Sequence, residues 1–341
     1  MTDKILGSKR LEYVDAMRGF TMLLVVYSHV LYMGFRIQNF SIVNSFNEFF
    51  CQFRMPLFFF VSGFVLYKAN QIWDLKNSLL FIAKKFKVQI ISTLLFIGLF
   101  CYIFNLSFAK ALMLPDKKGF WFTITLFEFF VLYVIFNKII EKVKGSWIYD
   151  VLLFVIGFGL YAIAPKGNKE IVVNLLGLVY LKYFIYFIVG IIAKRNWESL
   201  KSLFNNSIFT GINILVFFIL GIVALKKHVF NSADVIIAIT GIFTVFAFFY
   251  KYQDSFSSKT KVGRVLQYIG KRTLDIYLLH YFFLPRNLDS IGNWFKANIN
   301  PSLEFFVSLA LAAMVIALCL VVSNIIRISP FLANWLFGVK K

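Results

Sequence analysis

The chain has 341 residues, of which 60% are hydrophobic and 15% charged, whereas an average soluble protein is ~45–50% apolar and ~25% charged. A soluble fold of this composition could not cover its apolar surface, and 44 Phe with 16 Tyr exclude a disordered chain. The net charge of +20 would suggest nucleic acid in a soluble protein. Here Lys and Arg read as topology signals that face anionic lipid, and no basic segment is patterned as a recognition helix, so no nucleic-acid partner is expected.

A membrane-crossing helix needs ~20 apolar residues, so this composition fills about ten spans. Apolar runs fall at 16–35, 46–67, 86–105, 120–137, 147–164, 171–193, 207–225, 232–250, 271–285 and 303–326. They predict an all-α, multi-pass membrane protein that forms one integral-membrane domain over 1–341, with an N-terminal tail at 1–15 and a C-terminal tail at 327–341. Asp3, Glu12 and Asp15 precede the first run, which therefore reads as a retained span and not a cleaved signal. Of the 36 Lys and Arg, 23 fall on the side of both termini, 10 on the other side and 3 within spans, which predicts cytoplasmic N- and C-termini. Cys51, Cys101 and Cys319 lie in or beside apolar runs and make neither a disulfide framework nor a metal site.

Charges inside spans are costly and mark function or pairing. In the first run, LEYVDAMRGFTMLLVVYSHVLYMGF, Arg18 and His29 are eleven residues apart. On an α-helix this puts both on one face, separated by roughly 16 Å along the axis. Arg18 then holds an anionic group at the cytoplasmic edge, or snorkels, or pairs with Asp15. His29 acts deep in the protein, or makes an interhelical hydrogen bond. The second run carries RMPLFFFVSGF, with Arg54 mid-span, Pro56 behind it, and Ser62 and Gly63 allowing close backbone approach. Glu128, mid-way along the fourth run, is the carboxylate expected to meet Arg54. Trp121 sits at the outer boundary as an interfacial residue or a platform for a sugar. Lys182 snorkels or supplies a second anion contact.

The ninth run reads YIGKRTLDIYLLHYFFLP, where Thr273 or Asp275 can cap a helix start. Its His280 lies roughly 13 Å from Lys271 along a helix axis and so reaches nearly the depth of His29. His228, the third histidine, follows two lysines in an outer loop and reads as surface.

These residues carry a resemblance. The chain resembles the membrane-bound acyltransferase family 3, bacterial proteins that O-acylate cell-surface glycans, and most of all its compact, fucose 4-O-acetylase-like sugar O-acetyltransferases. The Arg18-to-His29 spacing within VDAMRGFTMLLVVYSHV is the most specific element, followed by PLFFFVSGF at 56–64 with Arg54 ahead of it. FWF at 120–122, KYFIYFIVG at 182–190 and IGKRTLDIYLLHYFF at 269–283 are weaker matches. The resemblance implies ten spans in the bacterial inner membrane, acyl-CoA (acetyl-CoA) as donor substrate with no bound cofactor, and a glycan or lipid-linked sugar as acceptor.

On this reading Arg18, with Lys84, Lys85 and Lys87, faces the donor phosphates. His29 serves as general base or acyl carrier, because an unperturbed imidazole titrates near neutrality, and His280 orients it or the acceptor. The family's Arg-rich run at the third span is replaced by AKKFKVQI at 83–90, which keeps charge and loses the guanidinium fork. A transporter or flippase for a glycan or lipid would share the spans and the buried charges, and release of free CoA separates it from an enzyme.

Overall fold

The computed structural model describes residues 11–37, 45–69, 71, 73–140, 146–165, 171–227 and 233–339. Every regular element among them is helical, as expected where lipid offers the backbone no other hydrogen-bond partners. In chain order, α1 is Glu12–His29, α2 Ser45–Cys51, α3 Arg54–Leu66, α4 Leu75–Lys85, α5 Ser92–Ile103 and α6 Phe108–Met113. Next come α7 at Trp121–Ile140, α8 at Ser146–Ile163, α9 at Ile171–Leu175, α10 at Phe184–Arg195, α11 at Trp197–Asn205 and α12 at Ser207–Lys227. The remainder are α13 at Ala233–Lys251, α14 at Lys261–Lys271, α15 at Thr273–Phe283, α16 at Asp289–Ala297, α17 at Pro301–Ile326 and α18 at Pro330–Phe337.

The chain is an all-α polytopic membrane protein. Among the described residues, seven stretches are long and apolar enough to cross a membrane: Glu12–Gly34, Phe46–Leu66, Leu75–Ile103, Trp121–Ile140, Ser207–Ala224, Asp234–Lys251 and Pro301–Ile326. Three expected spans take another form. The run at 147–164 is the shorter apolar helix Trp147–Ile163. The run at 171–193 is broken, because Gly177 turns left-handed at φ 62° and a 3-10 segment at Leu178–Tyr183 precedes α10. The run at 271–285 yields only the 11 residues of α15, cut from α14 at Arg272.

Two boundaries also move. The third span starts earlier than the apolar run, since Asp74 caps α4 by accepting from Asn77 N at 2.6 Å and a π-helical stretch at Phe86–Ile91 joins α4 to α5. Lys84, Lys85 and Lys87 therefore sit on a continuous helix and not in a loop. The expected C-terminal tail contains α18, which Ser329 and Pro330 start and a left-handed Gly338 ends.

By contacts the chain divides into two compact units. The first holds residues 1–54, 201–273 and 285–316, and the second holds 55–200, 274–284 and 317–341. In the first unit α1 meets α14 through bare backbone. A Cβ on Gly19 would overlap the Leu266 carbonyl oxygen, and one on Gly270 the Asp15 carbonyl oxygen. Small residues of this kind drive helix association in lipid, where apolar burial gives no net gain. In the second unit Gly63 of α3 and Gly190 of α10 make the matching contact, on the carbonyls of Phe187 and Phe60. Phe59, Phe60, Phe129, Phe184 and Phe187 are fully buried in that unit, where Phe59 packs on Phe129 and Phe129 on Phe184 and Phe187.

Candidate active site

The first unit carries Arg18, His29, Asp15 and Arg54. Helix α1 is unbroken from Glu12 to His29, so the eleven-residue spacing does put Arg18 and His29 on one helical face. Beyond His29 the helix widens into a π-turn at Val30–Gly34, a feature frequent at functional sites. Arg18 Nη2 donates to Thr273 Oγ1 at 2.8 Å, and Nη1 lies 3.9 Å from Asp15 Oδ1. The guanidinium thus reaches the α14–α15 junction and keeps a loose pairing with Asp15. His29 is partly exposed, whereas its neighbours Tyr27 and Ser28 are fully buried.

Two buried carboxylates flank the far half of α1. Tyr27 Oη donates to Glu304 Oε2 at 3.4 Å, and Ser308 Oγ donates to Glu304 Oε1 at 2.7 Å. Tyr32, three residues beyond His29, donates to Glu48 Oε1 at 3.3 Å and accepts from Asn47 Nδ2 at 2.6 Å. Asn47 Oδ1 in turn accepts from Arg54 Nη1 at 2.9 Å. Arg54 opens α3 after a turn at Gln52–Phe53. Pro56 therefore falls in the first helical turn, where its missing N–H is harmless. Arg54 uses Asn47 as its partner, and Glu128, the carboxylate expected for it, belongs to the other unit. Sequence reading missed Tyr27, Tyr32, Asn47, Glu48 and Glu304. Glu304 lies just inside the last apolar run, and an acidic residue at that place is the only signal the sequence offers.

The second unit holds the remaining candidates. Asp275 is 1% exposed and is gripped by Arg327, with Nε to Oδ2 at 2.7 Å and Nη2 to Oδ1 at 3.0 Å, while Ser323 Oγ donates to Oδ2 at 2.5 Å. It joins α15 to α17 and is no helix cap. His280 is fully buried and donates from Nδ1 to Ile276 O at 3.0 Å, and its ring lies 3.9 Å from that of Tyr281. Trp121 stacks on Tyr180 at 3.9 Å with 15° between the planes, which covers one ring face. Ser62 donates back to Phe58 O at 2.8 Å.

The basic candidates of this unit turn to aromatic rings. Lys85 Nζ lies 4.1 Å over Phe130 and Lys87 Nζ 4.1 Å over Trp335, with a further bond from Lys87 to Asn334 Oδ1 at 2.6 Å. Lys182 is exposed, its ammonium 5.4 Å from the Tyr183 ring, and Lys84 is exposed. A buried lysine that sequence reading left in an outer loop, Lys117, donates to Leu114 O at 3.1 Å and Asn174 O at 2.5 Å. Burial pushes its ammonium below the usual lysine value, against the pull of Glu128.

A family model described as an acyltransferase domain matches residues 11–324. The chain belongs to the acyltransferase 3 family. The match begins one residue before α1 and ends two residues before α17 does, so it takes in the helices of both units that carry the candidate residues of this acyltransferase. Neither a curated protein nor a solved structure matches the chain.

Proposed function

We propose that this acyltransferase moves an acyl group, acetyl by resemblance to the sugar O-acetyltransferases, from cytoplasmic acyl-CoA to a hydroxyl of a cell-surface glycan or lipid-linked sugar. It works in the bacterial inner membrane as one domain with both termini cytoplasmic. The observation that carries this reading is the unbroken α1, which aligns a partly exposed Arg18 and a partly exposed His29 on one face. Arg18 takes the donor phosphates at one end of that face. His29 takes the proton of the acceptor hydroxyl at the other end. The oxygen attacks the thioester carbonyl, the C–S bond breaks, and the proton passes to the departing CoA thiolate. In the relay form His29 first accepts the acyl group and then yields it to the hydroxyl. His280 orients the reacting groups. Trp121, Lys182, Glu128, Arg54, Ser62, Asp15 and Asp275 shape the acceptor side or hold the helices.

His29→Asn tests this, because it keeps a hydrogen bond and removes the titratable base. Purified in parental yield, it should lose ~10²–10⁴ in the rate of CoA release from acetyl-CoA with a sugar acceptor. Parental rates in His29→Asn would remove His29 from the chemistry. A parent protein that releases no CoA with any acceptor would point to transport.

A further inference from the structure

Helix α14 follows the spanning helix α13 after the turn at 252–260, and Thr260 starts it by accepting from Gly263 N at 2.9 Å. Its 11 residues reach only ~16 Å, about half of a ~30 Å hydrocarbon layer. It packs at Asp15 and Gly19 of α1, near the start of the membrane-crossing stretch Glu12–Gly34, so it lies at the level of a bilayer surface.

One side of α14, with Gly263, Gln267 and Gly270, is buried. The other side is exposed and mixed in character. At 100° per residue Lys261, Val265 and Tyr268 share a sector of about 60°, with Val262, Arg264 and Lys271 flanking it. Val262, Val265 and Tyr268 are 58%, 59% and 38% exposed. The Arg272 guanidinium lies 3.9 Å over the Tyr268 ring, which brings it to the same side. The stretch 251–272 holds six basic residues, and its one acidic residue is Asp254. Glu12, the nearby acid, is engaged by Ser258 through its N–H and hydroxyl at 2.8 and 2.9 Å and also feels the charge of Lys271.

An exposed apolar stripe rimmed by cations and a tyrosine matches one environment in charge and polarity together: the headgroup layer of a bilayer rich in anionic phospholipid. We propose that α14 docks in that layer, with Val262, Val265 and Tyr268 at the acyl boundary and Lys261, Arg264, Lys271 and Arg272 on lipid phosphates. The docked helix carries the Gly270 contact with α1 and leads into Thr273, the hydrogen-bond partner of Arg18. The charge of the lipid surface thereby bears on where Arg18 is held.

The test uses the full chain with Val265→Cys carrying a nitroxide label, in vesicles of phosphatidylcholine alone or mixed with phosphatidylglycerol. Label on the unsubstituted chain, which has Cys51, Cys101 and Cys319, supplies the background. Collision with oxygen and with an aqueous nickel chelate should shift toward the oxygen-rich acyl boundary when phosphatidylglycerol is present. The shift should be lost in the combined variant Lys261→Gln, Arg264→Gln, Lys271→Gln, Arg272→Gln, and also at about 1 M salt, where charges are screened beyond ~3 Å. The salt arm stands if the combined variant does not fold. Equal collision ratios in both lipids overturn the proposal, as does a shift that survives salt or one that follows protein density instead of lipid charge, which would mark a second copy on this face. None of these readouts requires acyl transfer, so failure here leaves the catalytic reading intact, and loss of CoA release leaves this one intact.

Discussion

The clamp between Asp275 and Arg327 makes a sharp quantitative prediction. Asp275 is 1% exposed and holds both guanidinium bonds, while the Arg327 side chain keeps 22% of its surface accessible. The two deletions are therefore unequal. Arg327→Ala strands a buried carboxylate with only Ser323 to serve it, and removing one partner of a buried pair costs ~3–5 kcal/mol. Asp275→Asn leaves a cation that can still reach water or headgroups, so its cost should lie nearer ~1–3 kcal/mol, as for a lost charged hydrogen bond. In the double variant Asp275→Asn, Arg327→Ala no buried charge remains, and the amide can still accept from Ser323 Oγ. That protein should be more stable than Arg327→Ala. The assay is a denaturation series on the detergent-solubilised proteins, read as a double-mutant cycle. Additive single costs, with coupling below about 0.5 kcal/mol, would refute the pairing argument. The same proteins test what Asp275 is for. A positioning role predicts parental CoA release per folded molecule in the double variant, and a stable but inactive double variant would put Asp275 in contact with substrate.

Gly63→Ala should lower the melting temperature, because its Cβ would overlap the Phe187 carbonyl oxygen and come within 2.9 Å of the carbon, an overpacking worth ~1–3 kcal/mol. Gly98→Ala, whose nearest atom lies 4.0 Å away, is the matched control, and equal losses at both sites would refute the backbone-contact reading. Asn47→Leu removes the acceptor of Arg54 and the donor to Tyr32 at once. It should cost at least ~1–3 kcal/mol in denaturant, and an unchanged midpoint would show that the bridge contributes nothing. Lys117 tests linkage: its folded value is depressed below 10.5 by burial, so the unfolded chain binds the proton more tightly. Stability should rise with pH through the window below 10.5 and be lost as pH falls. Lys117→Met should flatten that slope, and identical pH profiles for parent and variant would show that the ammonium is not desolvated.

What the sequence reveals of the fold follows from the length of each apolar run. Runs such as 120–137 and 207–225 become single helices because nothing inside them competes with the helix. The run at 171–193 fails for a local reason: Gly177 adopts φ 62°, a left-handed step that costs glycine nothing. Hydropathy alone does not register that step. The opposite error occurs at the third span, where Lys84 and Lys85 interrupt the apolar count but not the helix. Long aliphatic stems and ring faces accommodate those charges, as the Lys85–Phe130 contact shows.

The candidate site divides along a similar line. The Arg18–His29 relation is legible because it lies within one helix, where spacing alone fixes the face. Glu304 meets Tyr27 from 277 residues away, and Arg327 reaches Asp275 from beyond the last apolar run, and no periodicity encodes either. The histidines show what this means for mechanism. Read from sequence, His29 and His280 are a pair at one depth. Each has its own setting: His29 is partly exposed in the first unit, and His280 is fully buried in the second. His280 is held through Nδ1 against the Ile276 carbonyl. A buried, anchored ring suits orientation, and a partly exposed ring suits proton exchange with a substrate. The two roles proposed for the histidines therefore rest on their surroundings and not on the similar depth read from the sequence.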